Sequence, residues 1–456
     1  MLKNGRRIAA QSVVEEGDKV RYQTAAGELS LPKSIVDHIE RGGAVPIAGA
    51  SWGGVANLAI TPPAMEAKGA AGISGEIERA VVHDGSIDWR YLAKLENEAR
   101  SGDQASKMMA AVGHHAAAMF ELNRGDLERS LGDERHALSF VPDDPLLLMN
   151  VAYLHLRRSE YKQASEYLER AGRLAPENAD VAKLAGWAYY GLGKMDLAVA
   201  EWKRSLALKP DAEVKAAMEK ALRDKKAEEN YEENQSAHFT LKYSGEAQPG
   251  LEREVLRTLE MHFSVIEAEL NFTPADPISV VLYTQQAFAD ITKAPGWVGA
   301  VNDGRIRVPV QGLTNVNPEL SRVLKHELTH SFIQQKTRGH APTWIQEGMA
   351  QWMEGLRSGE NVGPLLATHG KGAAPALAGL EAGWMSLKEP AVHDAYAWAL
   401  ANIEFLVMKD GMSDVERILD RIATGEPTEA ALREALHSDY ADLEQSTAEY
   451  LRKAYR

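Results

Sequence analysis

Residues 323–330 read Val-Leu-Lys-His-Glu-Leu-Thr-His, and residues 342–350 read Pro-Thr-Trp-Ile-Gln-Glu-Gly-Met-Ala. On a helix, His326 and His330 lie four residues apart on one face, so both imidazoles can bind one tetrahedral zinc ion. Glu327 lies beside them and is not needed as a ligand. A catalytic zinc site has three protein ligands and a water molecule. Glu347, with sixteen residues between it and His330, is the candidate third ligand.

The sequence around Glu347 supports this assignment. Pro342 and Thr343 are typical of a helix start, and apolar residues with helical spacing follow them: Trp344, Ile345, Met349, Trp352 and Met353. The H-E-x-x-H pattern would arise by chance only about 0.04 times in a chain of this composition. Two helices are therefore expected to carry the three ligands.

Other third ligands fit the sequence less well. A metzincin site has Gly three residues and His six residues after the second histidine, but Ile333 and Lys336 stand there, which excludes that class. His340 and His393 remain alternative donors, although neither comes with a helix start that would fix its direction.

These motifs carry a resemblance to a known family. His-Glu-Leu-Thr-His, then Trp-Ile-Gln-Glu-Gly-Met-Ala, preceded by Ala-Pro-Gly-Trp at 294–297 and Asp-Gly-Arg-Ile-Arg-Val-Pro at 303–309, resembles the gluzincin clan of zinc peptidases. Within that clan it is similar to the bacterial peptidase-MA-like domains. The resemblance covers about Ser236 to the C-terminus. It implies a thermolysin-like α+β domain, in which a small mixed sheet has its edge strand along the cleft and a helical half lies below.

The resemblance also implies roles for individual residues. His326, His330 and Glu347 would bind one Zn²⁺ per chain, Glu327 would be the general base, and Tyr396, in Tyr-Ala-Trp-Ala at 396–399, would face the substrate carbonyl. Gln351 stands where thermolysin-like enzymes often have an acidic partner for a ligating histidine. Its amide can still accept the imidazole N–H, so a weaker or more labile metal is expected.

The expected activity is a zinc-dependent peptidase, an endopeptidase rather than an aminopeptidase, because no G-x-M-E-N motif precedes His326. Zinc would lower the pKa of its water to about 7, and Glu327 would accept the proton during attack on the peptide carbonyl. The alternative is an interaction scaffold whose zinc site is structural or catalytically idle. A purely structural site would not need Glu327, which favours catalysis.

Composition limits the other possibilities. A net charge of -14 without a clustered basic groove argues against nucleic acid as a partner. The chain has no cysteine, which excludes disulfides and thiolate metal sites, and no run of eighteen apolar residues that would span a membrane. No export signal precedes the first strand, so the protein is expected either in the cytoplasm or, as the resemblance favours, in the bacterial periplasm or outside the cell after loss of a leader.

Three further regions precede the peptidase-like domain, which is assigned to residues 235–456. Residues 1–41 alternate polar and apolar positions over Arg7–Val14, Lys19–Thr24 and Glu28–Leu31, and predict a small antiparallel β module of unassigned role. Residues 42–75 are rich in Gly, Ala and Pro and predict a linker. Residues 76–234 have helical periodicity throughout, with a charged helical extension over Ala212–Asn234.

A repeat of 34 residues runs through the helical region. Pro142, Pro176 and Pro210 recur at this interval, as do Gly125, Ser159 and Gly193, and Ala164 with Ala198. The period and the packing residues resemble a tetratricopeptide (TPR) α-solenoid of two good units and one degenerate unit, in which Ser130 and Glu134 replace the packing pair. Such arrays hold a peptide or protein partner on the concave face, so the repeats are expected either to recruit a substrate or partner or to act as a spacer.

The last region is expected to be mainly helical after a short sheet. Strands are predicted at His238–Tyr243, Ile278–Tyr283 and Arg305–Val310, with a helix at Gly250–Leu270 between the first two. Arg305–Val310 follows a turn signal and is expected at the sheet edge, where an extended peptide could add as a further strand. The fold class is therefore multidomain and mainly α: a β module, a TPR-like solenoid and a thermolysin-like α+β domain.

Overall fold

The computed structural model of the protein describes residues 12–17, 19–24, 27–36, 71–83, 85–100, 102–123, 126–244, 250–283, 301–302, 304–310, 313–370, 376–381, 384 and 389–455. The start of the first predicted strand, most of the predicted linker and the Ala-Pro-Gly-Trp segment lie outside these ranges. The chain divides into two compact units, residues 1–47 and 48–456.

The first unit contains the predicted antiparallel sheet. Strands β1 (Ser12–Glu16), β2 (Lys19–Thr24) and β3 (Gly27–Pro32) follow one another in the order β1-β2-β3. Val14 pairs with Arg21, and Arg21 pairs with Ser30, so β2 is the central strand. A short 3-10 helix, Lys33–Ile35, follows the last strand.

The second unit begins with a helical array. Its helices are α1 (Ala71–Val81), α2 (Trp89–Ala99), α3 (Gln104–Asn123), α4 (Leu127–Phe140), α5 (Pro145–Arg157), α6 (Tyr161–Leu174), α7 (Ala179–Gly191), α8 (Met195–Leu208) and α9 (Ala212–Ala227). A two-stranded ribbon, β4 (Val82–His83) and β5 (Ser86–Ile87), joins α1 to α2. Among the described residues, no helix is both long enough and apolar enough to cross a lipid bilayer.

The 34-residue period of the sequence is a period of helix pairs in the structure. Helices α4, α6 and α8 begin at residues 127, 161 and 195, and α5 and α7 begin at 145 and 179. Ser159 and Gly193 occupy the same turn of successive units, and both have a positive φ, 59° and 71°. The turn needs a left-handed residue, and glycine adopts that conformation without strain.

Packing inside the pairs follows the expected residues. Ala164, Ala198, Leu168 and Trp202 are all buried. Gly186 on α7 meets Trp202 on α8 so closely that an added Cβ would lie 2.3 Å from the indole ring. Only glycine at this position lets the tryptophan fill the space between the two helices.

The degenerate first unit is buried as fully as the others. Ser130 and Glu134 are each 1% exposed. Because a carboxylate replaces the large apolar residue, it needs a partner, and Nδ1 of His115 on α3 lies 3.0 Å from Oε1 of Glu134. Burial alone would lower the pKa of His115, but the Glu134 carboxylate outweighs it and raises the pKa above its ordinary value.

The array leads into a five-stranded mixed sheet. Its strands are β6 (Tyr231–Gln235), β7 (Phe239–Ser244), β8 (Ile278–Tyr283), β9 (Val301–Asn302) and β10 (Ile306–Pro309), in the order β6-β7-β8-β10-β9. The helical extension predicted over Ala212–Asn234 is therefore wrong for its last residues, because β6 pairs antiparallel with β7.

The expected edge strand is also corrected. β10 pairs parallel with β8 on one side and antiparallel with β9 on the other, so the Arg305–Val310 segment is internal. Among the described strands, the two-residue β9 lies at this edge and β6 at the opposite one, and β9 is too short to be recognised from alternation of polar and apolar residues.

The remaining helices are α10 (Leu251–Leu270), α11 (Pro318–Lys336), α12 (Thr343–Glu354), α13 (Val362–Gly370), α14 (Glu389–Asp410), α15 (Met412–Ala423), α16 (Thr428–Leu436) and α17 (Tyr440–Ala454). The helix predicted at Gly250–Leu270 coincides with α10 to within one residue, and the region after the sheet is mainly helical, as expected. Asn317 caps α11 through a 2.7 Å bond from the Leu320 amide. The described fold is thus mainly helical with small sheets.

A buried charge network joins the array to the sheet. Arg305 immediately precedes β10 and Arg307 lies within it, and both side chains are buried. Nη1 and Nη2 of Arg305 each lie 2.9 Å from an oxygen of the Glu228 carboxylate. Nη2 of Arg307 lies 2.7 Å from Oδ2 of Asp224 on α9. Tyr190 on α7 also donates to Asp224. The two regions therefore share one buried polar core.

Further contacts join the helix turns of the array to the second half of the chain. The pairs are Asp276 with the Tyr161 amide at 2.8 Å, Arg338 with Glu128 at 2.9 Å, and Arg157 with His340 at 3.4 Å. Each contact falls near a turn between the two helices of one unit. The edge of the array formed by these turns is therefore covered by the second half of the same chain.

Candidate metal centre

The three ligands expected from the sequence converge on one point. His326 and His330 lie on α11, and Glu347 lies in the second turn of α12. Nε2 of each histidine is 3.5 Å from the same oxygen, Oε2 of Glu347. The ligand atoms all lie within 4.8 Å of one another, and the three residues are at most 1% exposed. This buried group could hold a metal ion.

The donor set fits a tetrahedral ion. Two donors at metal distances of about 2.1 Å and a tetrahedral angle lie roughly 3.4 Å apart, close to the 3.5 Å that separates each imidazole nitrogen from Oε2 of Glu347. Among the described residues, the Nε2 atoms of both histidines and both oxygens of Glu347 are buried and find no hydrogen-bond partner. Unpaired buried polar atoms are costly, so an ion at this point would satisfy all of them at once.

Charge at the site follows from this convergence. Burial lowers the pKa of His326, but the carboxylates of Glu354 and Glu347 outweigh burial and raise that pKa to about 10. Burial would raise the pKa of Glu347, but the two imidazoles hold it below its ordinary value. A divalent cation that binds to the two imidazoles and the carboxylate would displace protons held at this site.

Glu327 follows the first ligand on α11 and is fully buried. Its backbone carbonyl accepts a 2.9 Å hydrogen bond from Nδ2 of Asn302 on β9, and the same amide donates to Oγ of Ser331 at 2.7 Å. A side chain of strand β9 therefore hydrogen-bonds directly to the backbone of Glu327, the residue predicted to be the general base. The sequence pattern gave no indication of this role for Asn302.

Tyr396 on α14 lies at the same site. Its hydroxyl is buried and meets no hydrogen-bond partner in the part of the chain that the structure describes, and its ring lies edge-on to Trp384 with centroids 5.0 Å apart. Burial raises the pKa of Tyr396 well above 10, and the charges of Glu347 and Glu327 raise it further. The phenol therefore stays protonated and is able to donate a hydrogen bond.

Close packing of α12 on α14 brings Tyr396 to this position. An added Cβ on Gly348, the residue after the third ligand, would lie 2.6 Å from the Ala399 carbonyl oxygen on α14. Gln351 strengthens the same contact, because its Nε2 donates to the Tyr396 carbonyl at 3.0 Å and to the Glu347 carbonyl at 3.1 Å.

Gln351 was expected to accept an imidazole N–H. Its contacts in the structure are instead those of its amide nitrogen with the Glu347 and Tyr396 carbonyls. The residues beside the imidazoles are others on α12: Oε1 of Glu354 lies 3.3 Å from Nδ1 of His326, and Oε1 of Gln346 lies 3.4 Å from Nδ1 of His330. Spacing places Glu354 on the same helix face as Glu347, seven residues further on, but it does not decide between Glu354 and Gln351 as the imidazole partner.

The alternative ligands lie elsewhere. His340 contacts Arg157 and the Ile422 carbonyl, and His393 is exposed on α14. Neither belongs to the metal-competent group, which among the described residues consists of His326, His330 and Glu347.

Comparison of the sequence with protein-family models gives no match, and comparison with curated proteins gives none either. The chemistry of the site is therefore the basis for assigning a function.

Proposed function

We propose that this protein is a zinc-dependent peptidase of the gluzincin type that hydrolyses internal peptide bonds. The observation that carries the proposal is that two imidazole nitrogens lie 3.5 Å from one carboxylate oxygen, with Glu327 on the same helix as both imidazoles. A structural zinc site is usually closed by four protein ligands, whereas three ligands leave a position for chemistry.

His326, His330 and Glu347 would hold the zinc ion. When bound, zinc acts as a Lewis acid that polarises the scissile carbonyl and makes a water molecule easier to deprotonate. Zinc suits this donor set because neutral imidazoles and a carboxylate are its usual ligands in enzymes.

Glu327 would act as the base and then as the acid. Its carboxylate takes the proton of the water whose oxygen attacks the carbonyl carbon, and the carbonyl oxygen becomes an oxyanion. Glu327 then gives this proton to the amide nitrogen, the C–N bond breaks, and the carboxylic acid product passes its proton to the amine, so that a carboxylate and an ammonium group are released. General acid–base catalysis of this kind contributes about 10²–10⁴-fold to the rate.

Tyr396 would stabilise the oxyanion. Its protonated hydroxyl has no hydrogen-bond partner among the described residues, so it can donate to the substrate oxygen without first breaking a bond to one of them. One such donor contributes roughly 3 kcal/mol to transition-state stabilisation.

The substrate would bind in an extended conformation along β9. This strand is the edge of the sheet, and Asn302 fastens it to the backbone of Glu327. A peptide that pairs with a sheet edge presents its carbonyl groups at a fixed distance from that edge. An extended protein segment is therefore the substrate class that this arrangement favours.

The 34-residue helix pairs would serve as a TPR-like platform for the substrate or for a partner protein. Their inter-helix turns contact the second half of the chain. Recruitment is therefore assigned to the concave face, where arrays of this kind hold their ligands.

A second candidate is an interaction scaffold stabilised by a structural or idle zinc ion. The observation that favours it is the burial of the whole group, since Glu327 is 0% and Tyr396 only 4% exposed. A peptide would need to displace covering residues to reach the site.

The two functions are separated by comparing the wild type with Glu327→Gln on casein and on a peptide library, with zinc content measured in parallel. If the protein is a peptidase, the wild type cleaves these substrates, the variant does not, and both proteins hold one zinc ion. Equal cleavage by both proteins would reject Glu327 as the base. One bound zinc without cleavage by the wild type would support the scaffold.

A further inference from the structure

We propose that Glu354 is the positioning residue of the metal centre, and that it replaces the partner that Gln351 does not supply. The proposal rests on the proposed zinc site. It goes beyond that site because it identifies a residue, outside the H-E-x-x-H…E pattern, that sets the strength and geometry of metal binding.

The first observation is that one helix contacts both nitrogens of one ring. Glu347 and Glu354 are seven residues apart, about two turns, and therefore lie on the same face of α12. Oε2 of Glu347 lies 3.5 Å from Nε2 of His326, and Oε1 of Glu354 lies 3.3 Å from Nδ1 of the same ring. His326 is thus held between two carboxylates.

This contact fixes the protonation of the ring. A carboxylate accepts a hydrogen bond, so the Glu354 contact keeps a proton on Nδ1 and leaves Nε2 as the nitrogen available to a metal ion. Nε2 is the atom that must ligate. A ligand whose distal N–H is held by a carboxylate is more basic and better oriented, and loss of such a partner typically weakens metal binding by about 10–100-fold.

The second observation is the difference between the two histidines. Oε1 of Gln346, also on α12, lies 3.4 Å from Nδ1 of His330, so that ring has a neutral acceptor. Hydrogen bonds to a charged acceptor are roughly twice as strong as neutral ones. Glu354 therefore contributes more than Gln346, and α12 supplies the third ligand together with both imidazole partners.

The burial of Glu354 supports the same role. Its side chain is 8% exposed, and it lies at the last residue of α12, where Gly355, with φ of 100°, ends the helix. A carboxylate at a helix C-terminus faces unfavourable backbone dipoles. The contact with His326 offsets this cost. A residue with a purely structural role at this position would not need to be a carboxylate.

The test measures the zinc affinity of the full chain by competition with a chromogenic chelator, using Zn²⁺ alone as the probe. We expect Glu354→Ala to bind zinc about 10–100-fold more weakly than the wild type and Glu354→Gln about 3–10-fold more weakly, because the amide keeps an acceptor without the charge. Gln346→Ala should lose less than Glu354→Ala. Glu319→Gln, an exposed charge-matched change on α11, is the control.

A second readout separates positioning from general packing. In histidine-selective ¹⁵N spectra, the Nδ1–H of His326 should be present and protected from exchange in the wild type, less protected in Glu354→Gln, and unprotected in Glu354→Ala. Zinc affinity within twofold of the wild type in Glu354→Gln, or an unchanged His326 ring spectrum, would overturn the proposal. A wild type that binds no zinc would instead overturn the proposed function itself.

Discussion

Gly348 on α12 lies against the backbone of Ala399 on α14 at a distance that leaves no room for a side chain, since an added Cβ would be 2.6 Å from the Ala399 carbonyl oxygen. The neighbour is a backbone atom inside a helix and cannot move by rotating a bond. The separation of α12 and α14, and with it the position of Tyr396 relative to Glu347, therefore depends on this glycine.

Gly348→Ala is expected to lower the free energy of unfolding by about 1–3 kcal/mol and to reduce peptidase activity, because α14 must move away from the site. Urea unfolding and turnover measure the two effects. The matched control is Gly132→Ala on α4, where an added Cβ meets nothing within 4 Å. That change should be neutral or stabilising by up to about 1 kcal/mol, as alanine favours a helix.

Glu327→Gln should lower kcat by roughly 10²–10⁴-fold while zinc content stays at one per chain, because the general base is not a ligand. The change preserves size in a fully buried position. Steady-state cleavage and metal analysis of the same sample test this. Loss of zinc from the variant would show that Glu327 ligates or supports the metal, against the assignment.

Tyr396→Phe should separate stability from activity. No described residue is a hydrogen-bond partner of its buried hydroxyl, so removing the hydroxyl should leave the free energy of unfolding unchanged or raise it by about 1 kcal/mol. The oxyanion would lose a donor, and kcat should fall by about 10²–10³-fold. A destabilised variant with full activity would contradict both expectations.

The buried network between array and sheet predicts a large effect for a single change. Arg307→Met leaves Asp224 buried without its 2.7 Å partner, and this should cost about 3–5 kcal/mol. Arg307→Met with Asp224→Leu should recover part of the loss. Lys225→Met, next to Asp224 and half-exposed, is the control. Unfolding followed by both circular dichroism and zinc release should give coincident transitions in the wild type.

His262 predicts a pH dependence of stability. Burial, together with the charge of Lys325, lowers its pKa from 6.5 to about 4 in the folded protein. Between these values the unfolded chain binds a proton that the folded chain does not, so the free energy of unfolding falls as the pH drops from about 6.5 to 4. The loss is on the order of 2–3 kcal/mol.

The variant His262→Gln tests this pH dependence, because glutamine can contact Oγ of Ser321 as the ring does at 2.9 Å, but does not titrate. Urea unfolding at pH 7.5, 5.5 and 4.5 should show a smaller decline for the variant than for the wild type. Parallel declines would mean that other groups cause the acid sensitivity.

Local patterns explain why much of the fold was predictable. Helical periodicity predicted the helix at Gly250–Leu270, which is α10 to within one residue, and the 34-residue period predicted the helix pairs of the array, because each depends on residues close in sequence. The edge strand β9 was missed, since two residues carry no period. The turn signal before Arg305 predicted an edge strand, whereas the carboxylate partners that bury Arg305 and Arg307 lie about 80 residues earlier in the chain.

The same distinction applies to the site. The positions of His326, His330 and Glu347 follow from spacing on two helices, and the structure brings them together. The roles of Gln351 and Glu354 could not be assigned from the family pattern, because the choice between positions four and seven residues after Glu347 depends on where α14 packs. Gln351 faces the Tyr396 backbone, which leaves Glu354 for the imidazole.

The docking of successive helix turns onto the second half of the chain restricts how this protein can change in evolution. An open solenoid lengthens or shortens by duplicating or deleting one unit, since each unit touches only its neighbours. Here Tyr190 and Asp224, one period apart, contact the same arginine. Insertion or removal of 34 residues between them would misalign these pairs, so the number of units is fixed by the sheet to which they are attached.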